Sequence, residues 1–250
     1  MLRLQGECMC ALNAVKRGAE TVVLKTYQEK DELHFEAERR ALAELGGCPG
    51  IVAVFALRDL QITMKYYPQG DLYSLVARLN ETDERLPVAR IKAYARDLLR
   101  VLDTCHSRGV AHMDVKLDNI LLDEQGIVLT DFGMAVTGRT HSKQQGTATY
   151  MAPEVFSPLF EGHRYDTFNA DMWSFAVTIF VLLRGSPPFH FPSVECPFYR
   201  AYTGNRQVFW DYYKVPADAA AFIEHVMVVP RRLEERRPSA LEALAHAWLN

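Results

Sequence analysis

No run in this 250-residue chain approaches the roughly 18 to 20 consecutive apolar residues that a membrane-spanning helix needs. The longest apolar stretch, Phe175 to Leu183, is interrupted by Thr178 and stopped by Arg184 and Gly185. The opening residues, Met1-Leu2-Arg3-Leu4-Gln5, lack the apolar segment of a secretory leader. Excess positive charge is missing as well. The 28 Lys and Arg against 31 Asp and Glu give a net charge of -3, which argues against general nucleic-acid binding because nothing is left over to neutralise phosphates. The most basic stretch, Arg231 to Arg237, is broken by Glu234 and Glu235 and reads as a solvated helix end or loop. Cysteine is scarce and odd in number: Cys8, Cys10, Cys48, Cys105 and Cys196 form no disulfide-scaffold pattern. Cys8 and Cys10 have no second Cys or His pair nearby to complete a metal site and read as reduced thiols on a strand. These absences together predict a soluble protein of an intracellular, reducing compartment, with neither membrane nor nucleic acid as a partner. The 49% hydrophobic content is enough to bury a core, as one large domain or as two lobes sharing a cleft.

The first third reads as strands with one helix. Thr21 to Lys25, Ile51 to Leu57 and Leu60 to Tyr67 are strand candidates, the last two flanking a turn at Arg58-Asp59. Leu33 to Leu45 is rich in Ala, Leu, Glu and Arg and ends at Gly46-Gly47, a helix stop. The remainder is mostly helical. From Pro87 to His106, Ile91, Tyr94, Leu98, Val101, Leu102 and Cys105 form a stripe at helical spacing. Ile120 to Leu122 and Ile127 to Leu129 flank a Glu124-Gln125-Gly126 turn as a hairpin that presents Asp131 at its end. Asp171 to Leu183, Ala217 to Val228 and Ser239 to Leu249 are further helices. The change from strand to helix falls at Tyr66 to Gln69.

Three strings stand in order through the middle of the chain: His112-Met113-Asp114-Val115-Lys116-Leu117-Asp118-Asn119, Asp131-Phe132-Gly133 and Ala152-Pro153-Glu154. In this order, with a strand-like run between the first two, they resemble the catalytic loop, metal loop and activation-segment end of a eukaryotic-type serine/threonine protein kinase. The resemblance runs from about residue 4 to residue 249. It implies an α+β, bilobal fold, with a small, mainly antiparallel β lobe carrying one helix (about 1–67) and a larger, mainly α-helical lobe (about 68–250). The expected organisation is one domain, 1–250, with no added regulatory domain.

What the resemblance implies for chemistry is carried residue by residue. Asp114 matches the aspartate that accepts the substrate hydroxyl's proton, and Lys116 the loop lysine of serine/threonine-directed kinases. Asn119 and Asp131 match the magnesium ligands, a hard oxygen set suited to Mg2+. Lys25 matches the lysine that reaches the ATP phosphates. Its helical partner is Glu36 or Glu38. Counting back from Pro49-Gly50-Ile51-Val52 favours Glu38 and puts Leu42 one turn further on the same face. Met64 falls at the back of the adenine pocket, the backbone from Lys65 to Tyr67 faces adenine, and Leu4 and Leu12 flank the phosphate-covering loop. Asp71 falls near the ribose and equally suits a helix N-cap before Leu72-Tyr73-Ser74-Leu75. Thr147 matches the threonine that meets the catalytic lysine, Asp171 the helix start that braces the catalytic loop, and Arg237 the partner of Glu154. ATP, Mg2+ and protein substrates bearing Ser or Thr are the implied ligands and partners.

Two departures carry consequences. The three glycine positions of the phosphate-covering loop hold Gln5, Glu7 and Cys10, where side chains obstruct the approach of backbone N–H groups to phosphate oxygens. Weakened ATP binding follows, and a pseudokinase scaffold becomes the competing reading. Met113 stands where many kinases carry an arginine that receives an activating phosphate. Activation-segment phosphorylation is therefore not expected to be the main switch, although Thr140 and Ser142 are available. Pro192 to Val215 departs most from the pattern and is expected to form a docking surface of its own.

Overall fold

The computed structural model describes residues 10–18, 20–156, 164–229 and 236–250. Leu4 and the Gln5 to Met9 part of the phosphate-covering loop lie outside the described residues, as does most of the basic stretch that begins at Arg231.

Strands β1 (Cys10–Arg17) and β2 (Glu20–Tyr27) are followed by helix α1 (Glu32–Leu45), then by β3 (Val54–Arg58) and β4 (Gln61–Lys65). The four strands form one antiparallel sheet in the order β1-β2-β4-β3. The register sets the site: Leu12 and Ile62 stand opposite Lys25, and Met64 stands opposite Val23. Val23, Lys25 and Tyr27 therefore share one face of β2 with Leu12 and Met64. Phe35, Glu38, Ala41, Leu42 and Leu45 are the buried stripe of α1. Asp59 and Leu60 turn the β3–β4 connection with positive φ.

After Lys65 the chain is dominated by helices. Helices α2 (Leu72–Glu81) and α3 (Val88–Ser107) precede β5 (Val110–Ala111), the hairpin β6 (Ile120–Asp123) and β7 (Gly126–Leu129), and β8 (Val136–Thr137) and β9 (Thr140–His141). Helix α4 (Pro153–Phe156), strand β10 (Tyr165–Asp166) and helix α5 (Thr167–Arg184) follow, and then α6 (Pro197–Gly204), α7 (Arg206–Tyr213), α8 (Ala217–Val226) and α9 (Ala240–Leu244). This is the bilobal arrangement of an antiparallel sheet lobe and a helical lobe. Helix α5 is buried almost throughout, and α3 and α8 pack against it. No helix among the described residues is long and apolar enough to cross a membrane.

Several boundaries differ from the sequence expectation. Ile51 is not part of β3 and makes a lone parallel bridge to Leu129, stitching the small lobe to the β6–β7 hairpin. The helix expected over Ser239 to Leu249 is two pieces. Ser239 caps α9 reciprocally with Glu242, and His246 then accepts from Trp248 N–H to start a separate 3-10 turn. Pro192 to Val215 contains α6 and α7, each only eight residues long. Pro197 opens α6, Asn205 accepts from Val208 N–H to open α7, and Lys214 in the left-handed region closes it. Tyr199, Tyr202, Phe209 and Trp210 are buried from this stretch. They join Phe180 and Trp173 of α5 in a continuous aromatic cluster.

Candidate active site

Lys25 is a buried lysine, and its ammonium is answered on two sides. Nζ lies 2.7 Å from Glu38 Oε2 and 2.7 Å from Asp131 Oδ1. Glu38 is the helical glutamate that reaches it, whereas Glu36 points outward to Arg39. Glu38 is fully buried and also accepts from the Phe132 N–H through Oε1 at 3.2 Å. Burial pushes the Lys25 ammonium down, but Asp131 and Glu38 outweigh it and hold its pKa well above the ordinary lysine value. Burial likewise pushes Asp131 up, and the Lys25 charge outweighs that and leaves it below its ordinary value.

These directions set a pH window. A depressed carboxylate contributes stability at every pH above the ordinary aspartate value of about 4 and loses it as pH falls through the depressed value. A raised lysine contributes fully below about 10.4 and loses that contribution as pH rises through its raised value. The stability gap between the native protein and Asp131→Asn in urea unfolding should thus be flat from about pH 5 to about pH 9 and close in acid, as Asp131 is protonated, and again in strong alkali, as Lys25 loses its proton. A gap that closes between about pH 5 and about pH 7 would rule out the pairing.

Asp131 holds its place through a strained backbone. It sits in the left-handed region at φ 61°, and its own Oδ1 accepts from Gly133 N–H. Its side chain keeps 40% of its surface open. Asn119 donates from Nδ2 to the Asp114 carbonyl at 2.9 Å and to Asp114 Oδ2 at 3.2 Å, which leaves its amide oxygen as the remaining acceptor. A carboxylate and an amide oxygen are the hard donors that magnesium takes.

Asp114 is the centre of a second network. Oδ2 lies 2.7 Å from Lys116 Nζ, and Oδ1 accepts from Thr147 N–H at 2.9 Å. Lys116 Nζ also donates to Thr147 Oγ1 at 2.8 Å, so Asp114, Lys116 and Thr147 close a ring. Beneath it, Asp171 accepts from the backbone N–H groups of His112 (2.8 Å) and Met113 (2.7 Å) and from His106 Nε2. Those bonds hold Met113 at φ 65°. Gly146 is needed here, since a Cβ on it would lie 2.3 Å from the Met113 carbonyl oxygen.

The remaining expected positions fall around these networks. Leu12 is on the Lys25 face of the sheet and 64% exposed. Met64 is buried. Lys65 donates its N–H to the Ala53 carbonyl, and its ammonium pairs with Asp123 at 3.0 Å. The Tyr67 ring is buried, and its hydroxyl accepts from Ala53 N–H at 3.3 Å. Asp71 is the N-cap of α2, accepting from Ser74 N–H at 2.6 Å, and bridges to Leu121. Arg237 pairs with Glu154 through its two terminal guanidinium nitrogens, Nη1 and Nη2. Sequence reasoning missed Tyr27, whose hydroxyl donates to Glu38 Oε2. The one available signal was its spacing of two from Lys25, which puts both side chains on the same face of a strand.

Residues 5–249 match the protein kinase domain family. The chain belongs to that family. Among similar kinases, serine/threonine-protein kinase PKH2 of Saccharomyces cerevisiae is 32% identical over 201 residues, covering 72% of this chain and 18% of the yeast protein. CBL-interacting protein kinase 16 of Oryza sativa subsp. japonica is 36% identical over 209 residues, 80% of this chain and 42% of the rice protein. NUAK family SNF1-like kinase 2 of Rattus norvegicus is 29% identical over 240 residues, 90% of this chain and 35% of the rat protein. The kinase domain described here thus spans less than half the length of each of these relatives.

Proposed function

We propose that the chain transfers the γ-phosphate of ATP to serine and threonine hydroxyls of protein substrates. The observation that carries this reading is the ring through Asp114, Lys116 and Thr147. It joins a carboxylate able to take a proton to a cation able to balance transferred charge. In this mechanism the hydroxyl oxygen attacks the γ-phosphorus, the bond to the β-phosphate oxygen breaks to release ADP, and Asp114 accepts the hydroxyl proton. Lys25, held by Glu38, steadies the α- and β-phosphates. Asp131 and Asn119 are the residues that would hold magnesium, which supplies charge neutralisation along the phosphates. Leu12 and the Lys65 to Tyr67 backbone would bound adenine, and Asp71 has a second carboxylate oxygen to offer the ribose. The yeast relative, named a serine/threonine-protein kinase, supports the hydroxyl acceptor.

A pseudokinase scaffold is the second reading, and Gln5, Glu7 and Cys10 in the glycine positions favour it. One experiment separates the two: transfer of labelled γ-phosphate from ATP to a mixed serine/threonine peptide library, with magnesium and with a chelator. The expected result is incorporation with magnesium alone. No incorporation at saturating ATP would make the scaffold the function.

A further inference from the structure

The Lys25–Glu38–Asp131 cluster has a fourth member. Tyr27 is buried at 4% exposure, two residues beyond Lys25 on the same face of β2. Its hydroxyl donates to Glu38 Oε2, the same oxygen that Lys25 meets. Its ring lies under the Lys25 ammonium, 5.0 Å from Nζ to the ring centre, and meets Phe35 of α1 edge-on at 5.8 Å. Its hydroxyl oxygen lies 3.1 Å from where a Cβ on Gly133 would stand, so the phenol also abuts the turn after Asp131. One side chain from the sheet thus touches the lysine, the helical glutamate and the metal-loop turn together.

We propose that Tyr27 is a positioning residue for phosphate binding, fixing Glu38 so that Lys25 is held ready for the nucleotide before it arrives. This rests on the kinase reading above. Glu38 Oε2 has two donors, Lys25 and Tyr27, and Oε1 has the Phe132 N–H. A fully buried carboxylate that loses a donor is left undersolvated, and α1 then gains by moving outward to hydrate it. Nucleotide binding must reverse that movement, so apparent affinity falls in proportion to the competent fraction. Burial, followed by the adjacent Glu38 charge, raises the phenol far above the ordinary tyrosine value. The group is a donor throughout the working range. A phenol at this place also gives the small lobe a clamp of its own, independent of any phosphate near Met113.

The test compares Tyr27→Phe, which removes only the hydroxyl, with Tyr27→Leu, which removes ring and hydroxyl. The readouts are KM for ATP, KM for peptide, kcat, a fluorescent-ATP titration with magnesium, and the thermal midpoint. Positioning predicts that Tyr27→Phe raises KM for ATP and the nucleotide dissociation constant by roughly tenfold or more. It also predicts that peptide KM is unchanged and that the phenylalanine variant melts close to the native protein. Tyr27→Leu should show a similar rise in KM with a larger loss of thermal midpoint. If Tyr27→Phe keeps the native KM while Tyr27→Leu does not, the residue is packing alone and the proposal falls. It falls equally if Tyr27→Phe fails to fold. Adding Tyr27→Phe to Glu38→Gln should change nothing further if the hydroxyl works through Glu38, and additive losses would overturn that route. The two readings fail separately. A native protein that binds magnesium nucleotide in a Tyr27-dependent way yet transfers no phosphate keeps the clamp and loses the kinase proposal. One that binds no nucleotide overturns the clamp.

Discussion

Asp114→Asn should lower kcat by roughly 10² to 10⁴, the span that a positioned general base supplies, while leaving nucleotide affinity close to native. The separation is built into the geometry. Asp114 bonds to Lys116, Asn119 and the Thr147 N–H, whereas Lys25, proposed above to meet the phosphates, is held by Glu38 and Asp131. An asparagine keeps the shape but can place an acceptor on only one side. With its oxygen toward Lys116 and Asn119, its amide group faces the Thr147 N–H, donor against donor. The activation segment should loosen there, so peptide KM should rise alongside the fall in kcat. Steady-state kinetics with peptide and ATP varied in turn check both parts. A variant that retains more than about a tenth of native kcat would remove Asp114 from the role of base.

Arg237→Leu should be the most destabilising single change in the large lobe. The guanidinium is fully buried. It pairs with Glu154, donates from Nε to the Val228 carbonyl at 3.0 Å and from Nη1 to the Asn169 carbonyl at 2.9 Å, and lies 5.0 Å over the Trp173 ring. Removing it strands a carboxylate that is itself largely buried and orphans two carbonyls. Breaking such a pair from one side typically destabilises by about 3 to 5 kcal/mol. For a chain of this size that is on the order of 10 °C in thermal midpoint. The double change Arg237→Leu with Glu154→Leu should recover part of the loss, because no unpaired charge remains. Thermal unfolding of the single and double variants beside the native protein decides it. A single-variant shift under about 2 °C would mean that the pair contributes nothing net.

What was legible in the sequence was the part that chemistry fixes at short range. The spacing from His112 to Asn119 places a carboxylate, a lysine and an amide within one loop, and the loop's own turns bring Lys116 and Asn119 back to Asp114. Glu38 could be chosen over Glu36 because counting back from Pro49-Gly50-Ile51-Val52, which resembles the kinase family's turn, lands on it, and the same count puts Leu42 one turn further on its face, where the family packs an apolar residue. Tyr27 was not legible in the same way. Strand alternation places it beside Lys25, but its hydroxyl bond depends on how closely α1 settles onto the sheet, a tertiary quantity. Helices α6 and α7 escaped for another reason. Eight residues each, divided at Gly204-Asn205, give barely two turns, too little for a period to emerge. Their aromatic residues look the same in a buried helix as in a loop. The split near Ala245 was hidden because His246 caps a turn through its ring nitrogen, a bond that composition does not reveal.

The aromatic cluster around α5 has a spectroscopic consequence. The chain has three tryptophans, Trp173, Trp210 and Trp248, all of them buried and all in the helical lobe. Tryptophan emission is therefore a one-lobe signal. Rearrangement of the sheet and α1 around a nucleotide leaves it nearly silent, while loss of the guanidinium stacked over Trp173 changes it at once. A single dye on the exposed face of α1, read beside the intrinsic emission, resolves the two lobes in the same cuvette.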